Sequence, residues 1–256
     1  MRPEDSTERR LHATSFDAVA DAYERARPGY PLYAVRWLVG ETPRDMLDLG
    51  AGTGKLTRLL AGLGHRVVAV EPLDGMREQL ARAVPGVEAL SGSAEAIPLP
   101  DDSVDVVTVA QAFHWFDHEP ALREIARVLH PGGRLALVWN VRDDRHAWVA
   151  ELSEAMVGRA GVDRDAIDPI DASGLFGPVE HVLFDHVQEI DRNALRELVL
   201  SRSYCAVLSE AERMPVFAQI DALFDTHAHY GVLALPYVTE CFRAASCASD
   251  AATDNI

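Results

Sequence analysis

The stretch Met46-Leu47-Asp48-Leu49-Gly50-Ala51-Gly52-Thr53-Gly54-Lys55 carries three glycines at alternate positions, after a short apolar run and before a helical pattern. Glycine lets the backbone approach a ligand closely because it has no Cβ. A second apolar run, Val67-Val68-Ala69-Val70, ends at Glu71, which stands 21 residues after Gly50. In nucleotide-binding α/β folds, an acidic residue about 20 positions beyond the glycine loop binds the ribose hydroxyls. The two runs therefore predict a βαβ unit that binds a nucleoside.

The spacing of these glycines excludes the two common phosphate-binding loops. A dinucleotide site of the form G-x-G-x-x-G would place its third glycine at position 55, where the chain has Lys55. A P-loop ending at Lys55 would need glycine at position 49 and Ser or Thr at position 56, and both positions hold leucine. The remaining pattern, D-x-G-x-G-x-G, puts the carboxylate of Asp48 in the loop, where it would repel a pyrophosphate. We therefore expect a cationic or zwitterionic nucleoside as the ligand.

Composition and charge limit the class of protein and its partners. The chain has 256 residues, 48% of them hydrophobic, which is enough for one substantial domain with a buried core. Its formal net charge of -16 repels phosphate backbones and anionic membranes, so we expect no nucleic acid and no membrane as partner. A local basic patch is compatible with this charge, and the acidity itself favours solubility. The sequence leaves the oligomeric state open.

Cysteine usage and the N-terminal residues indicate the compartment. Cys205, Cys241 and Cys247 are odd in number and form no C-x-x-C pair, which argues against a disulfide framework and a zinc knuckle, so no metal is expected. Residues 1–10 lack the apolar core of a signal peptide, and no run reaches the roughly 18 apolar residues that a membrane helix needs. These features predict a cytoplasmic protein.

Strand and helix patterns alternate through the first 140 residues, which favours an α/β fold with parallel strands and helices on the faces of the sheet. One helix is predicted from Leu122, Ile125, Ala126 and Leu129, which recur at i, i+3, i+4 and i+7, and it stops at His130-Pro131-Gly132-Gly133. The predicted strands lie near 45–49, 66–70, 87–90, 104–109, 134–139, 179–190 and 233–243. The other predicted helices begin at Leu56 or cover 75–84, 148–158, 192–200 and 209–229.

The chain is predicted to be one domain over residues 1–243. Residues 44–140 form its cofactor-binding core, 141–178 a variable excursion, 179–243 the last strands and helices, and 244–256 a frayed tail. Residues 14–31 precede the first strand and carry aromatic side chains at positions 16, 23 and 30. Two interpretations stay open for this segment. It is either an amphipathic helix that buries Phe16 and Tyr23 at a sheet edge, or a lid that excludes water from the cofactor.

The loop, Glu71 and three later segments together resemble the class I S-adenosylmethionine-dependent methyltransferases. The later segments are 92–100, 104–116 and 122–139. Within the class, the opening segment through Tyr30-Pro31, residues 113–116 and residues 235–240 together look like the type 11 group that includes trans-aconitate methyltransferase-like proteins. The resemblance implies a Rossmann-like seven-stranded, mostly parallel sheet with helices on both faces, an N-terminal helical lid and a variable helical insertion. It also implies methyl transfer from S-adenosyl-L-methionine to a small-molecule acceptor, with O-, N- and C-methylation all open.

The resemblance further implies roles for individual residues. His114 is the candidate catalytic base, with a purely structural histidine as the alternative, and Ser93 departs from the Asp that many relatives have there. The expected cofactor-binding residues are Tyr23, Asp48, Gly50, Ala51, Gly52, Gly54, Glu71, Pro72, Ser93, Ala94, Glu95 and Gln111. The expected substrate-binding residues are Arg27, Tyr30, His114, Trp115, Arg202 and Tyr204.

Two other functions compete with an enzyme of this class. A protein that binds the cofactor but serves as a regulator or assembly partner would keep the same glycine loop. A nicotinamide-dependent dehydrogenase is disfavoured, because Lys55 stands where its third glycine is needed. The arginines of the expected acceptor site suit a carboxylate substrate, although each could equally pair with an acidic side chain at the surface.

Overall fold

A seven-stranded sheet organises the protein. The computed structural model describes residues 27–156, 167–200 and 208–247. The strand order across the sheet is β3-β2-β1-β4-β5-β7-β6. This confirms the predicted Rossmann-like α/β fold and its seven strands. The strands are β1 (Asp45–Leu49), β2 (Arg66–Val70), β3 (Glu88–Leu90), β4 (Val104–Ala110), β5 (Leu129–Arg142), β6 (Glu180–Ile190) and β7 (Leu233–Ala245).

Helices cover both faces of the sheet. Successive strand residues point to opposite sides, so both faces carry apolar side chains that the helices bury. Leu47 and Val107 pack on the side of α4, whereas Met46 and Val106 pack on the side of α1 and α2. The α-helices of the described residues are α1 (Leu32–Val39), α2 (Lys55–Gly62), α3 (Asp74–Ala83), α4 (His118–Val128), α5 (Ala147–Ala155), α6 (Asp168–Ser173), α7 (Arg192–Leu200) and α8 (Glu210–His227).

The parallel part of the sheet places a crevice at the end of β1. Strands β1 to β5 run parallel, and β1 lies between β2 and β4. The chain therefore proceeds outward from β1 to β3 and then returns to the other side of β1 with β4. In open α/β sheets, ligands bind outside the carboxyl ends of the strands at such a reversal. The glycine loop follows β1 at this position.

The other part of the sheet is antiparallel. Strand β7 lies between β5 and β6 and runs antiparallel to both, with Asn140 opposite Thr239 in the first pair. The two edges of the sheet differ in length, since β3 has three residues and β6 has 11. At the β6 edge, the Tyr33 hydroxyl donates a hydrogen bond to the backbone carbonyl of Asp185.

The structure differs from the predicted boundaries at several places, and three of these differences are informative. Leu129 belongs to β5 and pairs with Val104, because the helix has already ended at Val128 and Pro131 restricts the next residue, His130, to extended backbone. Strand β7 continues to Ala245, where a frayed tail from position 244 was expected, because Ala244 is buried in the core. Helix α1 was not predicted, although Ala34, Val35, Leu38 and Val39 form its buried stripe.

Some predictions lie outside the described residues. These are Tyr23, Arg202 and Tyr204, together with most of the expected lid segment 14–31. None of the described helices has the length and hydropathy that a membrane crossing requires. Within the same three ranges, no group of three or more His, Cys, Asp and Glu side chains is arranged to hold a metal ion.

Candidate active site

The glycine loop turns sharply between β1 and α2. Gly50, Gly52 and Gly54 have φ angles of 67°, 57° and 87°, in the left-handed region where glycine carries no steric cost. The backbone N–H groups of Gly50 and Ala51 donate to the carbonyl of Val70 at 2.8 and 3.2 Å, so the loop is fastened to the end of β2. The sequence therefore needs glycine here for conformation as well as for space.

The three glycines meet different surroundings. A Cβ on Gly50 would lie 2.8 Å from the Cβ of Ala112, and a Cβ on Gly54 would lie 2.9 Å from Cγ of Leu80. A Cβ on Gly52 would meet no atom of the described part of the chain within 4 Å. Gly50 and Gly54 therefore allow close packing of protein on protein, whereas Gly52 presents bare backbone to open space, as a ligand-binding loop requires.

Asp48 lies beneath the loop and is only 1% exposed. Its Oδ2 accepts a hydrogen bond from the Thr57 hydroxyl at 2.6 Å, and its Oδ1 accepts one from the Thr108 hydroxyl at 3.1 Å. Burial raises the pKa of Asp48 to about 6, although these hydrogen bonds oppose the shift. Asp48 of β1 is thus hydrogen-bonded to α2 and to β4, and these bonds hold the glycine loop in place. Asp48 was expected to orient the loop or the amino end of the cofactor; these bonds suit the first role, and the second stays a prediction.

Glu71 supplies the carboxylate that borders the loop. It is 6% exposed, and its Oε2 and Oε1 accept hydrogen bonds from the backbone N–H groups of Gly52 at 2.9 Å and Leu73 at 3.0 Å. Burial raises the pKa of Glu71, while these N–H groups and Arg77 act in the opposite direction. Arg77 also donates to the carbonyls of Glu71 and Pro72, both at 3.0 Å. Each carboxylate oxygen can accept two hydrogen bonds and accepts one from these N–H groups. One acceptor position per oxygen therefore remains for the two hydroxyls of a vicinal diol.

The expected adenine loop follows β3 and is attached to α4. Ala94 is 3% exposed, and the carbonyl of Ser93 accepts a hydrogen bond from the N–H of Ala96 at 3.2 Å. Oε1 of Glu95 accepts a hydrogen bond from the N–H of Asp117, the residue that precedes α4, at 2.9 Å. Glu95 therefore anchors this loop, and contacts of Ser93, Ala94 and Glu95 with adenine stay predictions.

A strained residue ends β4 opposite the glycine loop. Gln111 has a φ of 58°, which costs a residue with a side chain about 1–2 kcal/mol. Its N–H donates to the carbonyl of Val138 at 3.0 Å, and its side-chain amide donates to the carbonyl of Asn140 at 3.3 Å. Such strain persists where the surrounding structure holds it, and it concentrates at functional sites.

A 3₁₀ turn, Phe113–Trp115, continues from this point and carries His114. Its flanking residues Ala112 and Phe116 lie against Gly50, so the turn stands beside the glycine loop. His114 is exposed, yet nearby protein atoms displace part of the water around its ring and lower its pKa, with a further contribution from His118. His114 is therefore largely neutral near pH 7 and able to accept a proton. Trp115 is 39% exposed, with its ring 4.9 Å from that of His114.

A cleft adjoins the glycine loop on the antiparallel side of the sheet. It encloses about 350 Å³, including its open mouth. Asn140 fixes one wall, because its side-chain amide donates to the carbonyl of Gly29 at 2.9 Å while its Oδ1 accepts from the Thr239 hydroxyl at 2.7 Å. The described residues that line the cleft are Arg27, Pro28, Tyr30, Lys55, Gln111, Asn140, Leu198 and Tyr237.

The structure brings together a large part of the predicted site. The loop glycines, Glu71 and Gln111 meet at the carboxyl edge of the sheet, and Arg27 and Tyr30 line the same cleft as Gln111. His114 and Trp115 lie on the neighbouring turn and do not line this cleft.

Sequence reasoning missed several residues of the site. Thr57 and Thr108 were missed although a hydroxyl one turn into α2 is a usual partner for a buried carboxylate. Lys55 was considered only as an obstacle to dinucleotide binding. Tyr237 lies in the stretch 235–240 that carried the resemblance to the type 11 group, but it was given no role in the site. Asn140 and Leu198 carry no local signal, since each joins the cleft from a different part of the chain.

The fold and loop define a nucleoside-binding α/β protein, and comparisons with known proteins identify the family. A family model for a methyltransferase domain matches residues 47–137. An uncharacterized methyltransferase of Mycobacterium tuberculosis is 47% identical over 240 residues, which cover 92% of this chain and 97% of the relative. A methyltransferase-like protein of Schizosaccharomyces pombe is 39% identical over 218 residues, which cover 81% of this chain and 84% of the relative.

Structural similarity agrees with the sequence comparisons. A solved structure from Anaeromyxobacter dehalogenans, assigned to the type II methyltransferases, superposes with a TM-score of 0.62 at 28% identity, over 86% of this chain and 97% of that one. The chain belongs to the S-adenosylmethionine-dependent methyltransferases, and the predicted class of enzyme is confirmed. The specificity of trans-aconitate methyltransferases is not shown by these similarities.

The loop and Glu71 fit the cofactor of this family. Among the described residues, none places an atom in the space in front of the Gly52 backbone, and the Glu71 carboxylate borders the same loop with acceptor capacity to spare. A negative side chain at this position suits a ligand that has a ribose diol and a positive charge but no phosphate.

Proposed function

We propose that this methyltransferase transfers a methyl group from S-adenosylmethionine to a small-molecule acceptor that enters the cleft beside Gln111. The observation that carries the proposal is the position of the cleft, which shares Lys55 with the glycine loop and Gln111 with the end of β4. The cleft is a small opening, because its roughly 350 Å³ of free space includes open solvent at the mouth. A folded protein surface or a nucleic acid would not enter such a cleft.

Glu71 and the loop glycines are assigned to the cofactor. Glu71 accepts hydrogen bonds from both ribose hydroxyls, and the backbone of Gly52 borders the methionyl part. Ala51 and Gly54 complete the loop, while Pro72 and Ala94 border the base. Asp48 acts indirectly, because it fixes the loop from below through Thr57 and Thr108.

The remaining catalytic requirement is alignment in a dry site. Bound S-adenosylmethionine supplies an electrophilic methyl group on a sulfonium. The protein has to hold the acceptor in line with that methyl group and exclude water, which is chiefly a matter of positioning. Gln111 and Asn140 fix the wall of the cleft, and Tyr30 and Tyr237 provide aromatic surface. His114 lies outside the described lining of the cleft, on the turn that contacts the glycine loop at Gly50, and its lowered pKa keeps the ring neutral. It is assigned as the base for the hydroxyl or amine of an acceptor that extends from the cleft to this turn.

The cofactor assignment is tested by Glu71→Gln, which keeps the size of the side chain and one acceptor oxygen. Charge-assisted hydrogen bonds contribute about 1.5–3 kcal/mol each and neutral ones about 0.5–1.5 kcal/mol, so we expect at least a tenfold weaker binding of S-adenosylmethionine. Isothermal titration calorimetry measures this directly. Glu88→Gln, which changes an exposed carboxylate at the start of the neighbouring β3, is the matched control and should bind as the wild type does. Equal affinities of all three proteins would refute the role of Glu71.

The class of acceptor is tested by fractionation. The enzyme is incubated with methyl-labelled S-adenosylmethionine and either the low-molecular-weight fraction or the protein and nucleic acid fractions of a cell extract. We expect enzyme-dependent label only in small organic products. Label in protein or nucleic acid, with none in small molecules, would contradict the proposed acceptor class.

A further inference from the structure

Strand β6 is the long outer edge of the sheet. It has 11 residues, and in the described part of the chain it pairs with β7 alone. An edge strand presents a row of backbone N–H and C=O groups that can pair with another chain, and proteins usually blunt such an edge by shortness, proline, lysine or a bulge. The opposite edge, β3, has only three residues. Residues 180–190 contain neither proline nor lysine, and their pairing with β7 is continuous. Strand β6 thus lacks the features that usually prevent pairing.

One face of β6 also exposes apolar side chains. Leu183 and Val187 lie on this face, because alternate strand residues point to the same side, and they are 56% and 53% exposed. The other face is different, since Phe184 packs there against the rings of Tyr33 and Trp37. Exposed apolar residues on an edge strand favour association with another strand. The surface that β6 offers to a partner is therefore its backbone edge together with this apolar face.

The sequence of this strand is complementary to its own reverse. Residues 179–187 read Val-Glu-His-Val-Leu-Phe-Asp-His-Val, with Leu183 at the centre. When two copies run antiparallel about Leu183, this leucine faces its own copy, and every other apolar residue faces an apolar one. The two carboxylates, Glu180 and Asp185, face the imidazoles of His186 and His181. Opposite residues of an antiparallel pair share a face, so these side chains meet directly.

The neighbouring registers match poorly. A two-fold axis normal to the sheet keeps each face on its own side, so it must pass through a residue. An axis at Asp185 would set two carboxylates against each other, and an axis at Phe184 would set Asp185 against Leu183. An axis at Val182 would set Glu180 against Phe184. Like charges directly opposite each other are destabilising, and a charge opposite an apolar side chain loses the favourable cross-strand contact. The side chains therefore select Leu183 as the centre.

We propose that β6 pairs antiparallel with β6 of a second copy of this chain, with Leu183 at the two-fold axis, so that the two sheets become one. Hydrogen-bonded pairs alternate along such a ladder and exchange two bonds each, so residues 179–187 of the two copies form about eight to ten backbone hydrogen bonds. A typical protein interface has about 10 ± 5 direct hydrogen bonds. The dimer does not depend on the proposed reaction, since the described lining of the cleft includes none of residues 179–187.

The contacts that β6 makes within one copy are compatible with this pairing. Glu180 keeps its ion pair with Arg243 at 2.8 Å, and the ion pair of Asp185 with Arg145 at 3.0 Å is kept as well. Exposed ion pairs contribute little energy, so the charges select the register while backbone bonds and apolar contacts supply the affinity. The Tyr33 hydroxyl donates to the carbonyl of Asp185, and a carbonyl oxygen can accept a second hydrogen bond.

The mass in solution tests the dimer. Size-exclusion chromatography with light scattering should give wild type at twice the 28.0 kDa of one chain. Leu183→Lys sets two ammonium groups against each other at the axis and should raise the dissociation constant at least tenfold. Met214→Lys is the matched control, because Met214 is 59% exposed in α8 rather than in β6, and it should leave the mass unchanged. A wild type that keeps the mass of one chain at its highest soluble concentration overturns the proposal, and so does a Leu183→Lys variant that dimerises as the wild type does.

Single cysteines test the register, in protein whose Cys205 and Cys247 are replaced by serine while the buried Cys241 is kept. The two copies of Leu183→Cys face each other at the axis, at a separation that a disulfide can bridge, so mild oxidation should give a covalent dimer. The two copies of Val187→Cys lie about 26 Å apart along the ladder and should not join. Cysteine at position 183 adds no charge, so this test stands even where Leu183→Lys fails to fold.

Two outcomes of the cysteine experiment overturn the proposed register. One is equal cross-linking of Leu183→Cys and Val187→Cys, which would indicate random collision. The other is more covalent dimer from a mixture of the two variants than from Leu183→Cys alone, because only an axis at Asp185 sets position 183 against position 187.

Discussion

The loop side and the cleft side of the active site are held in place in different ways. On the loop side, backbone groups of one βαβ unit bond to one another, as in the contact between Gly50 and Val70. On the cleft side, Asn140 connects Gly29 and Thr239, which lie 111 and 99 residues away from it in the sequence. The loop side is therefore encoded by a short sequence motif. The cleft side forms only when segments that are distant in the sequence pack together in the folded chain.

This difference indicates which side varies freely. A loop whose conformation depends on left-handed glycines and buried bonds tolerates little change, and it serves the same cofactor throughout a family. A cleft lined by side chains from separate segments can be altered one residue at a time without disturbing the loop. Acceptor specificity is therefore expected to reside in Arg27, Tyr30, Lys55, Leu198 and Tyr237.

The largest effect is expected from Gly54→Ala, because the added methyl group disrupts the packing of the glycine loop. Left-handed backbone costs alanine about 1–2 kcal/mol. Its Cβ would lie 2.9 Å from Leu80, which adds about 1–3 kcal/mol of overpacking. The free energy of unfolding, measured by urea titration, should fall by about 2–5 kcal/mol. Gly52→Ala is the control. It has the backbone cost without the contact and should lose cofactor affinity more than stability, so equal destabilisation by both variants would contradict the distinction between the glycines.

A second test removes the buried charge beneath the loop. The pKa of Asp48 is about 6 in the folded protein, against 3.8 for an ordinary aspartate such as that of the unfolded chain, so the folded protein holds this proton more tightly. The contribution of Asp48 to stability therefore declines as the pH rises from about 4 to about 6, by up to about 3 kcal/mol at 1.36 kcal/mol per pKa unit. Asp48→Asn should remove that decline.

The measurement is the difference in unfolding free energy between wild type and Asp48→Asn at several pH values. Subtraction cancels the acid pairs that both proteins share, such as Glu124 with Arg127, whose ion pair lowers the pKa of Glu124. The variant should gain stability relative to wild type between pH 4 and pH 6. A difference that is independent of pH would show that Asp48 is not buried as a titrating group.

The smallest effect is expected on the cleft side, from Asn140→Ala. The variant loses the hydrogen bonds to Gly29 and from Thr239, and the fully buried Thr239 hydroxyl is left without this acceptor. We expect a loss of about 1–3 kcal/mol in unfolding free energy. Thr239→Val keeps the contact with Gly29 and should cost less. Cofactor affinity should stay within a factor of about three for both variants, and a larger loss in either would mean that the two sides are not independent.

The parallel half of the fold was predictable because its signals are local. Alternating apolar runs gave the strands, and the glycines with Glu71 gave the nucleoside site. The helix end near Val128 was missed by one residue because Leu129 satisfies the helical period while Pro131 forces extended backbone before it. Helix α1 was missed because it begins directly after Pro31, where the segment 14–31, interpreted either as a sheet-edge helix or as a lid, was taken to end.

The site was predictable only where the type of residue is tied to a position in the βαβ unit. Gly52 stands in the turn that needs a left-handed backbone, and Glu71 directly follows β2. Asp48 was recognised as part of the site, but its burial depends on Thr57 and Thr108, which come from α2 and β4, and no spacing rule connects them. Tyr237 and Leu198 reach the cleft through antiparallel pairing and helix packing of the last third of the chain, which periodicity alone does not specify.

The place of β7 in the sheet determines the order of assembly. Leu233 begins this strand long after β5 has ended at Arg142, yet β7 lies inside the sheet and β6 pairs only through it. Pairing between distant segments is slow because the intervening chain must first be closed into a loop. During synthesis on the ribosome, strands β1 to β5 can therefore fold while β5 is still an edge strand, unpaired on its outer side. The cleft is completed last, because Tyr237 belongs to β7. A nascent chain therefore forms the glycine loop and the position of Glu71 before it forms the cleft proposed for the acceptor.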